Sequence, residues 1–215
     1  VLVIFDCDGV LVDSEPLANA SFSRAIRAQG LDWSPDEVLR RLMGLSLKSC
    51  VEVCERELGR KLPEDFVEKM QVITYQMFRD APLRPIAGVR DAVLALHEAG
   101  VATCVASSGA LEKMRFTLGL TGLWDLFEGR IFSASQVPRG KPFPDLFLHA
   151  AISMNVQPFD CVVVEDSLPG VAAARAAGMR ALAYAGEPYA DPAALAASGG
   201  EPFKAMAELP GLLLR

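Results

Sequence analysis

The stretch Val1-Leu2-Val3-Ile4-Phe5-Asp6-Cys7-Asp8-Gly9 decides the fold. Its apolar opening is too short for a buried helix, is rich in β-branched residues and stops at a polar loop, which predicts a strand buried on both faces. Similar short runs follow at residues 101–106, 160–164 and 180–185, with a weaker one at 130–133. Between them lie helical patterns at 89–98, 111–118, 145–154 and 171–177, three of them closed by Gly100, Gly119 and Gly178. Strand and helix in alternation predict an α/β fold, a Rossmann-like parallel sheet with helices on both faces.

The segment from Pro16 to Ala81 holds no strand-like run and reads as an all-helical insert. Ser34-Pro35-Asp36-Glu37 is a helix start, with Ser as N-cap, Pro in the first turn and Glu placed to complete a capping box. Further helices are expected at 46–58 and 63–79, and four helices on short links can bury their apolar stripes as a small bundle. Linkers are expected near Asp13 to Leu17 and around Pro82 and Pro85. The expected domains are therefore a core of residues 1–15 and 82–215 and a helical cap of residues 16–81.

With 215 residues the chain suffices for one core and a smaller insert. No run approaches the roughly 18 to 20 apolar residues that cross a bilayer, and Asp6 ends the apolar opening, so neither a membrane span nor a secretory signal is expected. The 21 basic and 27 acidic side chains give a formal charge of −6, which supplies no overall positive field for nucleic acid. The five cysteines are scattered, odd in number and without a C-x-x-C pair, which points to a cytoplasmic protein without disulfides or a zinc site. Cys50 and Cys54 share a helical face and are read as packing. A monomer or weak dimer is expected.

In open parallel sheets ligands gather beyond the carboxyl ends of the strands. After the first strand come Asp6-Cys7-Asp8-Gly9; after the second, Ser107-Ser108-Gly109; after the later one, Glu165-Asp166-Ser167, with Gly140-Lys141-Pro142 ahead of it. Each cluster alone has an ordinary reading as a turn, loop or helix cap. Together they hold what phosphoryl transfer needs: a nucleophile, a proton donor and positive charge around the phosphate oxygens. Asp6 could attack phosphorus to give an acyl phosphate that water then cleaves. Asp8 could protonate the leaving oxygen and then deprotonate the water. Crowded carboxylates facing a phosphate call for a divalent cation, and magnesium, which takes oxygen ligands and keeps several waters, fits. Asp6 and Asp166 are its expected side-chain ligands, with Glu165 in a direct or water-mediated role. Ser107, the amides after it with Ser108, and Lys141 would hold the phosphate oxygens.

The string Phe5-Asp6-Cys7-Asp8-Gly9-Val10-Leu11-Val12-Asp13-Ser14-Glu15 resembles the first motif of the haloacid dehalogenase-like superfamily, in its phosphatase and β-phosphoglucomutase-like branch with a helical cap inserted after that motif. Ser107, Lys141 and Glu165-Asp166-Ser167-x-x-Gly170 match the second, third and fourth motifs in order. The resemblance implies a magnesium-dependent hydrolase acting through an aspartyl phosphate. In it Asp6 is nucleophile and metal ligand, and Asp8 is acid/base with its backbone carbonyl on the metal. Ser107 and Lys141 bind phosphate, Lys141 serving catalysis too, and Asp166 and Glu165 serve the metal. Haloacid dehalogenases proper lack the second aspartate, so Asp8 favours phosphate chemistry. β-Phosphoglucomutases carry a histidine where Ala18 stands and an arginine where Leu47 stands, which argues against a sugar-phosphate mutase, the alternative enzyme. No motif marks Lys48 or Lys69 as the Schiff-base lysine of phosphonatases. No essential position is replaced, as it would be in a binding or regulatory protein that had lost catalysis. Cys7 and the Lys141-Pro142-x-Pro144-Asp145 run look most like sugar-phosphate phosphatases of the 6-phosphogluconate phosphatase kind.

The cap is expected to close over the site and supply specificity. Its candidate contacts are Glu15 and Asn19 in the entry linker, Arg41, the turn Gly44-Leu45-Ser46, and Lys48; a solvated helix surface is an equal reading for Arg41 and the favoured one for Lys48. The expected substrate is a small phosphorylated metabolite, a sugar or sugar-acid phosphate. His97 and His149 are read as ordinary packing or surface histidines, and Trp33 and Trp124 as packing.

Overall fold

The computed structural model of the chain describes residues 1–42 and 47–213. It divides into two compact units, Val1–Asp13 with Arg84–Arg215, and Ser14–Leu83. The larger unit carries β1 (Leu2–Phe5), β2 (Val12–Asp13), β3 (Arg84–Pro85), β4 (Ala102–Ser107), β5 (Ile131–Ser133), β6 (Cys161–Glu165), β7 (Arg180–Tyr184) and β8 (Glu201–Phe203). Six of these form one sheet in the order β5-β4-β1-β6-β7-β8, every neighbouring pair parallel. β1 lies between β4 and β6, where the strand order reverses, so its carboxyl end faces the crevice in which open parallel sheets bind ligands.

All four residues of β1 are fully buried, which is why the opening run lacks the apolar-polar alternation of a half-exposed strand. Leu2 and Ile4 share one face with Cys104, Ala106, Cys161 and Val163. That face packs Leu146, Phe147, Ala150 and Ala151 of α8 (Asp145–Ser153) and Val171, Ala173 and Ala174 of α9 (Leu168–Ala176). The small residues let these helices approach the sheet closely. Phe5 projects the other way and meets Phe127 edge-on at 5.9 Å. The helices α5 (Val89–Glu98), α6 (Leu111–Leu120) and α7 (Trp124–Phe127) supply the buried Val89, Val93, Leu96, Met114, Leu118 and Phe127. Short helices α10 (Pro192–Ala197) and α11 (Leu209–Leu213) complete this unit.

The smaller unit holds α1 (Glu15–Arg27), α2 (Pro35–Leu42), α3 (Leu47–Leu58) and α4 (Phe66–Asp80). They bury Phe22, Ile26, Trp33, Val38, Leu42, Cys54, Phe66 and Met70 in a core of their own. The capping box at Ser34 forms as the sequence predicts: the Glu37 amide donates to Ser34 Oγ at 3.2 Å and the Ser34 amide to Glu37 Oε2 at 3.1 Å. The division between the units falls at residues 13/14 and 83/84, within the two linkers the sequence suggests. In the first, β2 leads directly into α1, where Glu15 and Pro16 suit a first helical turn. The return linker contains a strand, β3, which pairs antiparallel with β2 through Val12–Pro85 and Asp13–Arg84. Among the described residues no helix is long and apolar enough to cross a membrane. All five cysteines are buried, and among the described residues no disulfide forms.

Candidate active site

Asp6 follows directly on β1, and its amide still pairs with the Val164 carbonyl of β6 at 3.0 Å. The chain then turns tightly: the amides of Leu11 and Val12 both donate to the Cys7 carbonyl at 2.9 Å. Gly9 takes φ +76° in this turn, and a Cβ there would overlap the Asp166 carboxylate. Only glycine suits both the left-handed backbone and that close approach. The absence of a side chain at Gly9 thus brings Asp166, at the end of β6, against the loop that bears Asp6 and Asp8.

Lys141 completes the centre. Its Nζ lies 2.7 Å from Asp6 Oδ1 and 2.6 Å from Glu165 Oε1, and its side chain is only 5% exposed. Its ammonium also stands 5.0 Å from the centre of the Phe147 ring. Burial opposes its charge, but Asp6 and Glu165 outweigh burial and raise its pKa above the ordinary lysine value. The Asp6 carboxyl is pushed up to about 6, by burial first, with Lys141 opposing and Glu165 and Asp8 adding to the rise.

Glu165, expected at the cation, is engaged by protein donors at both oxygens. Oε1 takes Lys141, and Oε2 accepts from the Ser167 amide at 2.7 Å and the Ser167 hydroxyl at 2.8 Å. Gly170 makes room for it, since a Cβ there would overlap the Glu165 carboxylate. Ser167 also caps α9, accepting from the Gly170 amide at 3.1 Å. The spacing Glu-Asp-Ser-x-x-Gly is thus the spacing of one strand end, one helix cap and one vacant Cβ position.

At the end of β4, Ser107 is buried and accepts from the Gly109 amide at 3.2 Å. Ser133, at the end of β5, fastens the same loop by donating to the Gly109 carbonyl at 2.7 Å. A Cβ at Gly109 would lie 3.7 Å from Ser107 Oγ and 3.8 Å from Asp8 Oδ2, so the second cluster borders the first. Ser108 is exposed in that loop. Asp8 itself is held by Lys113 of α6, Nζ to Oδ2 2.7 Å.

Asp6, Asp8, Ser107, Lys141, Glu165 and Asp166 accordingly come together within the sheet unit. Glu15 and Arg41 belong to the helical unit, where Arg41 stands 4.6 Å over the Trp33 ring and 3.8 Å from Glu57. Gly44 and Ser46 lie outside the described residues. Sequence reasoning missed Lys113 and Ser133. Lys113 looks like a solvent-facing helix residue, and its one signal is a cation in a first helical turn, where the helix dipole disfavours positive charge.

The donor set suits a hard cation. It offers the carboxylates of Asp6 and Asp166, while the thiol of Cys7 lies 4.0 Å from Thr117 Oγ1 and is raised well above its usual pKa by burial, then by Asp8 and Asp6. Among the described residues no three His, Cys, Asp or Glu side chains gather closely enough to hold a metal by themselves. Magnesium does not require such a cage, because it is usually bound through one or two carboxylates with waters.

A model of the haloacid dehalogenase-like hydrolases matches residues 1–178. A 6-phosphogluconate phosphatase of Escherichia coli K12 is 32% identical over 190 residues, covering 88% of this chain and 85% of the relative. Hexitol phosphatase B of the same organism is 32% identical over 182 residues, covering 83% and 81%. Among solved structures, a haloacid dehalogenase-family hydrolase from Deinococcus radiodurans R1, with bound phosphate and sodium, superposes with a TM-score of 0.82 at 30% identity, covering 99% of this chain and 94% of that one.

Proposed function

The chain belongs to the haloacid dehalogenase-like hydrolases, and we propose that it is a magnesium-dependent phosphatase of a small sugar or sugar-acid phosphate. The observation that carries this reading is the buried Lys141 bridging Asp6 and Glu165, with Asp8 and Ser107 bordering Gly109 and Asp166 against Gly9. The relatives that act on 6-phosphogluconate and hexitol phosphates, and the phosphate bound in the similar hydrolase, support the substrate class.

In this mechanism the Asp6 carboxylate attacks phosphorus as the bond to the leaving oxygen breaks, and Asp8 gives that oxygen its proton. Lys141 and Ser107, with the amides after Ser107, hold the equatorial oxygens, and Glu165 keeps Lys141 in place. Asp8 then takes a proton from water, which attacks the acyl phosphate and releases inorganic phosphate and Asp6. Asp6, Asp166 and the backbone carbonyl of Asp8 would hold magnesium, which supplies positive charge against the crowded carboxylates and phosphate. We place the enzyme in the cytoplasm, in keeping with five scattered, buried cysteines joined by no disulfide among the described residues.

Purified protein should release phosphate from phosphorylated sugars and sugar acids in the presence of magnesium and stop on addition of EDTA. Asp6→Asn should abolish release, and normal turnover by that variant would contradict the nucleophile assignment.

A further inference from the structure

We propose that Lys113 is a positioning residue of the reaction, its ammonium holding Oδ2 of Asp8 and so fixing the orientation from which the protonated carboxyl gives its proton to the leaving oxygen. This rests on the phosphatase reading and adds a residue outside the four motifs. Lys113 is the third residue of α6, in the first turn, where a cation meets the positive end of the helix dipole and needs a compensating partner. Asp8, 2.7 Å away, is that partner.

The pair is not a loose surface bridge. The side chains of Lys113 and Asp8 are 30% and 22% exposed, against 57% and 85% for the surface pair Arg27–Asp32. The Lys113 stem passes Gly109, its Cδ 3.6 Å from where a Cβ would sit, and Gly109 is pinned by Ser133 from one side and tied to Ser107 from the other. Two neighbouring strand ends therefore fix the lysine's path. Lys141 is committed to Asp6 and Glu165, while Lys113 reaches Asp8.

A general acid acts only if its proton lies within hydrogen-bond reach of the leaving oxygen, and small misplacements cost up to about a hundredfold in rate. Need for that proton varies with the leaving group: an alkoxide requires it, and p-nitrophenolate does not. Lys113 and Asp8 keep partial contact with solvent, so losing Lys113 should lower kcat by far more than it lowers stability.

The test measures kcat and KM of wild type, Lys113→Met, Lys113→Arg, Asp8→Asn and the double variant Lys113→Met/Asp8→Asn on glucose 6-phosphate, 6-phosphogluconate and p-nitrophenyl phosphate. Circular dichroism verifies each fold. Lys113→Met should lower kcat on the sugar esters by about tenfold to a hundredfold with little change in KM, and far less on p-nitrophenyl phosphate. Lys113→Arg should recover part of the loss, and the double variant should be no worse than Asp8→Asn. Equal losses on all esters, unchanged kcat on the sugar esters, or a rise in KM alone would overturn the assignment. Wild type that releases no phosphate from any ester would overturn the phosphatase reading, and the inference with it.

Discussion

Gly9 and Gly170 show how single residues write the site, because each leaves vacant the place where a carboxylate sits. Gly9→Ala would strain the backbone at φ +76° and push against Asp166. It should cost at least about 1 kcal/mol in denaturant unfolding and remove phosphate release. Lys141→Met leaves two buried carboxylates without their counter-charge, and thermal unfolding should report a loss of about 3–5 kcal/mol. The cluster was legible at this scale where polar residue types stand at or just past a strand end, as at Asp6, Asp8 and Ser107, and at Lys141, a lone lysine between glycine and proline in the loop ahead of α8. Partnership was less so: Glu165 reads as one more carboxylate until its two oxygens are traced to Lys141 and Ser167, and Lys113 reads as a helix surface until Asp8 is found beside it.

Helices and strands were legible in proportion to the strength of their own signals. β1, β4, β6 and β7 are continuous apolar runs buried in the sheet, and α5 spans the residues its periodicity and closing glycine predict. β8 escaped notice because it is an edge strand of three residues with Pro202 at its centre, a place where proline is tolerated. β2 and β3 have two residues each, too few for any period, and exist only because they pair with each other. The start of α2 was readable because capping is local chemistry. Ser34→Ala removes the acceptor for the Glu37 amide, and should lower stability by about 1 kcal/mol on a urea denaturation curve.

Over the whole molecule, the order of strands does what no local pattern can: it carries the ends of β1, β4 and β6 side by side, so that residues far apart in the chain share one centre. The core of each unit isolates its thiols. Burial raises the Cys54 pKa to about 11, with Cys50 and Glu55 adding to it, and raises that of Cys104 further. A raised thiol pKa means a protonated, unreactive group. Native protein at mildly alkaline pH should therefore resist a disulfide-exchange reagent, while all five cysteines react in denaturant. The central claim, that Asp6 carries the phosphoryl group, is tested most directly by rapid acid quench of the wild type during turnover of phosphate-labelled substrate, followed by peptide mass spectrometry. The label should sit on the peptide containing Asp6, be removed by hydroxylamine and be missing from Asp6→Asn. Steady phosphate release with the label on another residue, or on none at any quench time, would contradict it.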